Sequence, residues 1–280
     1  MDETEIALNH AIAEQHCNRG DDDCRWYHAN WHLLKALGIV STSGIHERSI
    51  ARLLKLAVGQ HTTPRILLTG STDETLLQVV HSACREMGVA PQLTALDLCA
   101  TPLAFMQGYA DQNAINLEAV KANILEFAPT EQFDIIVTHA FMGNFNDAQR
   151  PCLAHKWNEL LSHKGKVVTI QRVRPADSPA IVKFSQQQAA DFVTTAIGVA
   201  EKLGFSQESD LFRVRQAASV FAQNFSTHAI RSKAALRKLF LDAGMSLECL
   251  SYHRLEKMEH LSGPSVPSDA EYAHIVAGKS

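Results

Sequence analysis

The chain has 280 residues, with 26 basic and 30 acidic side chains, a net charge of −4 and 46% hydrophobic residues. That length suits one large α/β domain with additions or two small domains, and the mixture is that of a folded globular protein. No block of Lys and Arg stands out, which argues against nucleic acid as a partner, and no apolar run approaches the roughly 20 residues that span a bilayer.

The opening Met1-Asp2-Glu3-Thr4-Glu5 is acidic and lacks the basic and apolar regions of a signal peptide, so the expected location is cytoplasmic. Six cysteines (Cys17, Cys24, Cys84, Cys99, Cys152, Cys249) are scattered without a CxxC pair, which reads as reduced thiols rather than a disulfide framework. Helical patterns cover 4–15, 26–37 and 44–58, the last with Ile50, Leu53, Leu54, Ala57 and Val58 on one face.

A different rhythm begins at Arg65-Ile66-Leu67-Leu68-Thr69, a short apolar run ending at Gly70 and shaped like a buried parallel strand. A helix over 74–87 follows, then a strand over 92–98. The next helix is expected to start at Thr101-Pro102, with Pro in its first position. Further strands are expected at 116–121, 133–139 and 166–171, with a helix between the last two. This alternation predicts a parallel sheet with helices on both faces. After Pro175 it stops: 180–203 and 211–225 read as long helices, and 232–243 as a capped one. Strands at 246–254 and 272–277 would pair as a hairpin around the Pro/Ser/Gly-rich 261–269. The predicted fold is a Rossmann-like α/β domain (61–175 and 227–280) with a terminal antiparallel hairpin. An N-terminal helical cap (1–60) and a helical insertion (176–226) would form a lid.

Open parallel sheets bind ligands beyond the carboxyl ends of their strands. Gly70-Ser71-Thr72-Asp73 follows the first strand with a single glycine, unlike the G-x-G-x-x-G of a dinucleotide site, and disfavours a nicotinamide-dependent oxidoreductase. Its hydroxyls and backbone donors suit a carboxylate and an ammonium, or it is a plain turn with a helix cap. Asp97 ends the second strand, where a carboxylate can accept both hydroxyls of a ribose or cap the next helix. Asn123 and Ile124 end the third, where an amide and an apolar neighbour suit an adenine edge and face; an ordinary loop Asn would bond local backbone instead. His139 is a candidate general base by its near-neutral intrinsic pKa, or a packed histidine. No ligand cluster with metalloprotease spacing appears, so no metal is expected, and Asp21-Asp22-Asp23 reads as a solvated loop. His28 and His228 are the most notable of the other histidines by position.

Taken in order, Ile66-Leu67-Leu68-Thr69-Gly70, Ala95-Leu96-Asp97-Leu98, Val120-Lys121-Ala122-Asn123-Ile124, Phe133-Asp134-Ile135-Ile136-Val137 and Leu160 to Val168 resemble a class I S-adenosylmethionine-dependent methyltransferase. Cys24-Arg25-Trp26-Tyr27-His28, Asp97 to Leu103, Thr138 to Phe145 and Arg172-Val173-Arg174-Pro175 resemble motifs of a bacterial small-molecule methyltransferase-like group. The resemblance implies S-adenosylmethionine as cofactor. Gly70 and Ser71 would line its methionine end, Asp97 would bind the ribose, Asn123 with Ile124 would flank the adenine, and His139 and Ala140 would sit beside the sulfonium; Thr72 and Leu98 are further cofactor-binding candidates. Ser71-Thr72-Asp73 replaces the family's later glycines, and Asn123 replaces an acid. Catalytic candidates are His139 as a base or an acceptor-orienting group, Arg172 as a clamp for an acidic acceptor or a structural ion-pair member, and Tyr27 as a lid contact or a helix-packing residue. The expected activity is methyl transfer to a small, acidic molecule. The alternatives are aminobutyrate transfer or cyclisation of the same cofactor, or a non-catalytic cofactor-binding module.

Overall fold

Arg65–Thr69 (β1) is apolar at consecutive positions because both its faces are covered. In the computed structural model, which describes residues 3–18, 23–254, 264 and 271–279, Ile66, Leu67 and Leu68 are fully buried. Ile66 and Leu68 face one core layer and Leu67 the opposite one, as the two-residue period of a strand requires. The strand is central in a seven-stranded sheet with Gln92–Asp97 (β2), Leu117–Lys121 (β3), Phe133–His139 (β4), Leu161–Val173 (β5), Met245–His253 (β8) and Glu271–Lys279 (β9). The order is β3-β2-β1-β4-β5-β9-β8, with β1 to β5 parallel and β9 antiparallel to both β5 and β8. Two short strands, Ile181–Lys183 (β6) and Ser226–His228 (β7), pair separately.

The chain divides into two units. The sheet unit comprises the described parts of Ser43–Ala180, His228–Leu255 and Asp269–Ser280. On one face of its sheet lie Glu47–Val58 (α3), Thr75–Glu86 (α4) and Ala100–Gln112 (α5); on the other lie Arg150–Leu160 (α6) and Lys233–Asp242 (α9), whose Trp157 and Phe240 stack at 6.1 Å. The expected cap over 1–60 therefore ends early. The α3 stripe of Ile50, Leu53 and Leu54 is buried with sheet residues such as Ile135 and Val168, so α3 belongs to the sheet unit. The described parts of Met1–Thr42 and Ile181–Thr227 form the helical unit, with Glu3–His16 (α1), Arg25–Ala36 (α2), Gln186–Lys202 (α7) and Glu208–Asn224 (α8). Its own core joins Leu34, Phe192 and Phe221, the two phenyl rings stacked at 5.7 Å.

Among the boundaries that differ from expectation, two do so for clear local reasons, while β5 simply runs longer at both ends than the expected 166–171. The helix expected from 180 begins at Gln186, because Ser185 and Gln188 form a reciprocal capping box there after β6. The helix expected from Thr101 begins at Ala100, with Cys99 as the cap whose Sγ accepts from the Thr101 amide at 3.4 Å. Pro102 is thus its third residue, still within the turn whose amides need no helical partner. The expected turn over 261–269 lies outside the described residues apart from Pro264. No described helix is long and apolar enough to cross a membrane.

Candidate functional site

The carboxyl ends of β1, β2, β3, β4 and β5 share one edge of the sheet unit. At the end of β1, Gly70 has a φ of 70°, and a Cβ there would lie 2.0 Å from the Phe141 ring. Only glycine meets both demands. Ser71 is buried and its Oγ has no partner among the described residues, while Thr72 is half-buried beside it. Asp73 serves the structural role foreseen for this turn: its Oδ1 accepts from the Thr75 amide at 2.9 Å where α4 starts.

At the end of β2, the half-buried Asp97 accepts the Cys99 amide on Oδ1 at 2.9 Å, and Leu98 is 57% exposed. An apolar side chain held open beside a carboxylate suits a ligand with a flat, weakly polar face. The end of β3 is less open than expected. Asn123 accepts from the Leu125 amide at 3.1 Å and donates to Glu126 at 3.2 Å, the local bonding that loop asparagines favour. Ile124 is buried in the core with Leu96 and Phe133 rather than displayed.

His139 ends β4, and Ala140 then turns the chain with a φ of 53° while its amide donates to Ile170 at 2.8 Å. His139 pairs with Ile170 on β5, which pairs with His274 on β9, so the two histidines flank one isoleucine in a row across three strands. His46, from the turn Ser43–His46 before α3, completes a cluster that sequence reading missed. Its ring lies 5.1 Å from His139, 5.7 Å from His274 and 4.5 Å from Tyr272, and His253 lies 4.3 Å from His274. The Nε2 atoms of His46, His139 and His274 are buried without a hydrogen-bond partner among the described residues.

Burial, followed by mutual repulsion, holds these rings neutral. His46 is pushed down to about 3 by burial and then by His139, His274 and His253. His139 is pushed down to about 4 by burial and then by His274. His274 falls to about 4 through burial, His253 and Arg52. Arg52 reaches the His274 Nδ1 at 3.5 Å and can only donate, so the neutral ring carries its proton on Nε2. So acidic an imidazolium marks a weak base, which favours the acceptor-orienting role of His139 over that of a general base.

Arg172, opposite Tyr272 on β9, and Arg174 continue past this row. Burial lowers the Arg172 pKa and Tyr272 opposes it; Arg174 is lowered to about 10 by burial and by Arg172. Both remain cationic at neutral pH, and the edge thus combines neutral imidazoles with guanidinium forks, a pairing that recognises carboxylates.

A buried clamp supports the turn after β4. Arg150 donates to the carbonyls of Met142 at 3.2 Å, Ala229 at 3.1 Å and His228 at 2.8 Å, and pairs with Asp147 at 2.6 Å. His228, singled out by position, contributes its carbonyl here. Gln171 bridges Thr169 and the Met142 amide in the same region. Tyr27 belongs to the helical unit. Its ring packs against Trp31 at 5.1 Å and stacks on Phe221 at 5.8 Å, the helix-packing role foreseen as its alternative.

No family model matches this sequence, and no curated protein matches it. Solved structures do match. The N-methyltransferase NodS from Bradyrhizobium japonicum WM9, in complex with S-adenosyl-L-homocysteine, is 11% identical over 99% of this chain and 97% of its own, with a TM-score of 0.52. The 1,6-didemethyltoxoflavin-N1-methyltransferase from Burkholderia thailandensis, with 1,6-didemethyltoxoflavin and S-adenosylhomocysteine bound, is 12% identical over 100% of this chain and 91% of its own, with a TM-score of 0.54. The chain has the Rossmann-like fold of these methyltransferases.

Proposed function

We propose that this chain is an enzyme that binds S-adenosylmethionine along the carboxyl edge of its sheet and transfers the methyl group to a small, acidic molecule. The observation that carries this reading is the turn at Gly70 and Ser71, where a left-handed glycine and a buried hydroxyl with no partner among the described residues follow the end of β1. The bound solved structures of the same fold add support. The residues fit the cofactor: Gly70, Ser71 and Thr72 would hold its methionine end, Asp97 its ribose and Leu98 the apolar flank of its base. Asn123 remains the adenine neighbour in this reading, exchanging its local bonds for the base edge, while Ile124 supports that turn from the core. Bound there, the cofactor supplies an electrophilic methyl carbon.

The protein's task is then positioning and exclusion of water, since an in-line displacement needs little else. Neutral imidazoles beside a cationic sulfonium avoid the repulsion that protonated rings would bring. His139, with Ala140, orients the acceptor by hydrogen bonding. Arg172 and Arg174 hold the acceptor's carboxylate, because a planar guanidinium fork matches its two oxygens. Titration calorimetry with S-adenosylhomocysteine and, separately, NAD tests the cofactor assignment. One equivalent of S-adenosylhomocysteine bound with no heat from NAD supports it, and the reverse pattern contradicts it.

A further inference from the structure

The helical unit holds a side-chain cluster that the proposed reaction does not use. Cys17 directly follows α1, Cys24 occupies the N-cap of α2 without a side-chain capping bond, and His28 lies four residues further on, one helical turn along the same face. One ligand atom from each, the two sulfurs and a ring nitrogen, lie within 4.8 Å of one another. Cys17 Sγ is 3.4 Å from His28 Nδ1. Cys17 and His28 are 6% and 8% exposed, and Cys24 is half-buried.

We propose that Cys17, Cys24 and His28 bind a zinc ion that ties the end of α1 to the start of α2. In a tetrahedral site with Zn–S near 2.3 Å and Zn–N near 2.0 Å, sulfur and nitrogen ligands lie about 3.5 Å apart, close to the Cys17–His28 separation. Two thiolates and an imidazole select zinc over the hard ions magnesium and calcium, which prefer oxygen. Three protein donors leave one tetrahedral position for a further donor. The role is structural: binding releases the thiol protons to solvent, forms metal–sulfur bonds without a change of oxidation state, and stabilises the paired helices by linkage. The expectation of no metal rests on the absence of a ligand cluster with metalloprotease spacing, and the cysteines read as reduced thiols for want of a CxxC pair. Here the ligands follow a Cys-x6-Cys-x3-His spacing, which matches neither pattern, and only the packing of α1 on α2 brings them together.

The test is the metal content of the full chain purified without chelator, measured by mass spectrometry, beside the variants Cys17→Ser, Cys24→Ser and His28→Ala. Cys152→Ser, on an exposed position of α6, serves as the control. About one zinc per chain in the wild type and the control, falling at least several-fold in the three variants, is the expected result. Should the variants fail to fold, wild-type protein stripped and reloaded with Co(II) gives a second readout, sulfur-to-cobalt charge-transfer absorption. Zinc retained at full occupancy in both cysteine variants overturns the proposal. So does a wild-type protein with neither zinc nor cobalt charge transfer, which would leave a thiol–imidazole hydrogen bond only.

Discussion

Acidification tests the buried histidine cluster directly. Free histidines titrate at 6.5, whereas His46, His139 and His274 titrate in the fold at about 3, 4 and 4. The unfolded chain therefore takes up protons first as pH falls. The stability that these rings contribute is fully present above 6.5 and is lost progressively as pH falls toward their folded values. At pH 5 each unfolded ring is protonated while each folded ring is still neutral. One and a half pH units at 1.36 kcal/mol each give about 2 kcal/mol per ring, or roughly 6 kcal/mol for three. That is comparable to the whole stability of many domains, about 5–15 kcal/mol. Urea unfolding at pH 7.5 and pH 5.0, with m-values compared, measures the loss. The variant His46→Phe keeps a ring against Tyr272 and removes one titrating group. It should show a loss about 2 kcal/mol smaller than the wild type between the two pH values. Identical pH dependence in the two proteins would refute the assignment of a neutral, buried His46.

Replacing Asp97 with Ala should weaken binding of S-adenosylhomocysteine about ten- to hundredfold, the loss of a charge-assisted contact of roughly 1.5–3 kcal/mol, and unchanged calorimetric affinity would remove the ribose assignment. Gly70→Ala meets both a left-handed φ and the Phe141 ring, so it should lower stability by about 1–3 kcal/mol and weaken cofactor binding; neither change in melts or calorimetry would show that this turn is tolerant. Arg150→Met should cost about 3–5 kcal/mol, because the carbonyls of Met142, His228 and Ala229 lose their buried donor, and a cost below about 1 kcal/mol in urea unfolding would exclude the clamp. Arg172→Gln should raise KM for an acidic acceptor more than it lowers kcat, and a pure kcat effect would argue against a binding role.

The sheet was legible because covered parallel strands leave an unambiguous mark: Ile66-Leu67-Leu68 and Ile135-Ile136-Val137 admit no exposed face. Helix boundaries were less so. The Cys99 cap depends on a thiol acceptor, which cap preferences do not favour, and the start of α7 depends on a capping box that a single helical pattern hid. The turn residues Gly70, Ser71, Asp97 and His139 could be named because strand ends are readable. His46 and His274 could not, since they come from segments more than 200 residues apart and meet only through the pairing of β5 with β9 and the docking of α3. The same applies to the Arg150 clamp, whose carbonyl partners leave no side-chain signature. Asn123 and Ile124 show the reverse, where a plausible motif position is taken up by a local turn and by the core.

The claim of methyl transfer is tested most directly by the fate of the methyl group. The purified chain is incubated with S-adenosylmethionine labelled on the methyl carbon and a panel of small amino- and hydroxy-carboxylic acids, with their amides as uncharged controls. The account predicts label in a new product from at least one acid, an equal amount of S-adenosylhomocysteine, and little label in the matching amide. Methylthioadenosine as the main product would mean that the aminobutyrate carbon reacts instead, and the account of methyl transfer would be contradicted.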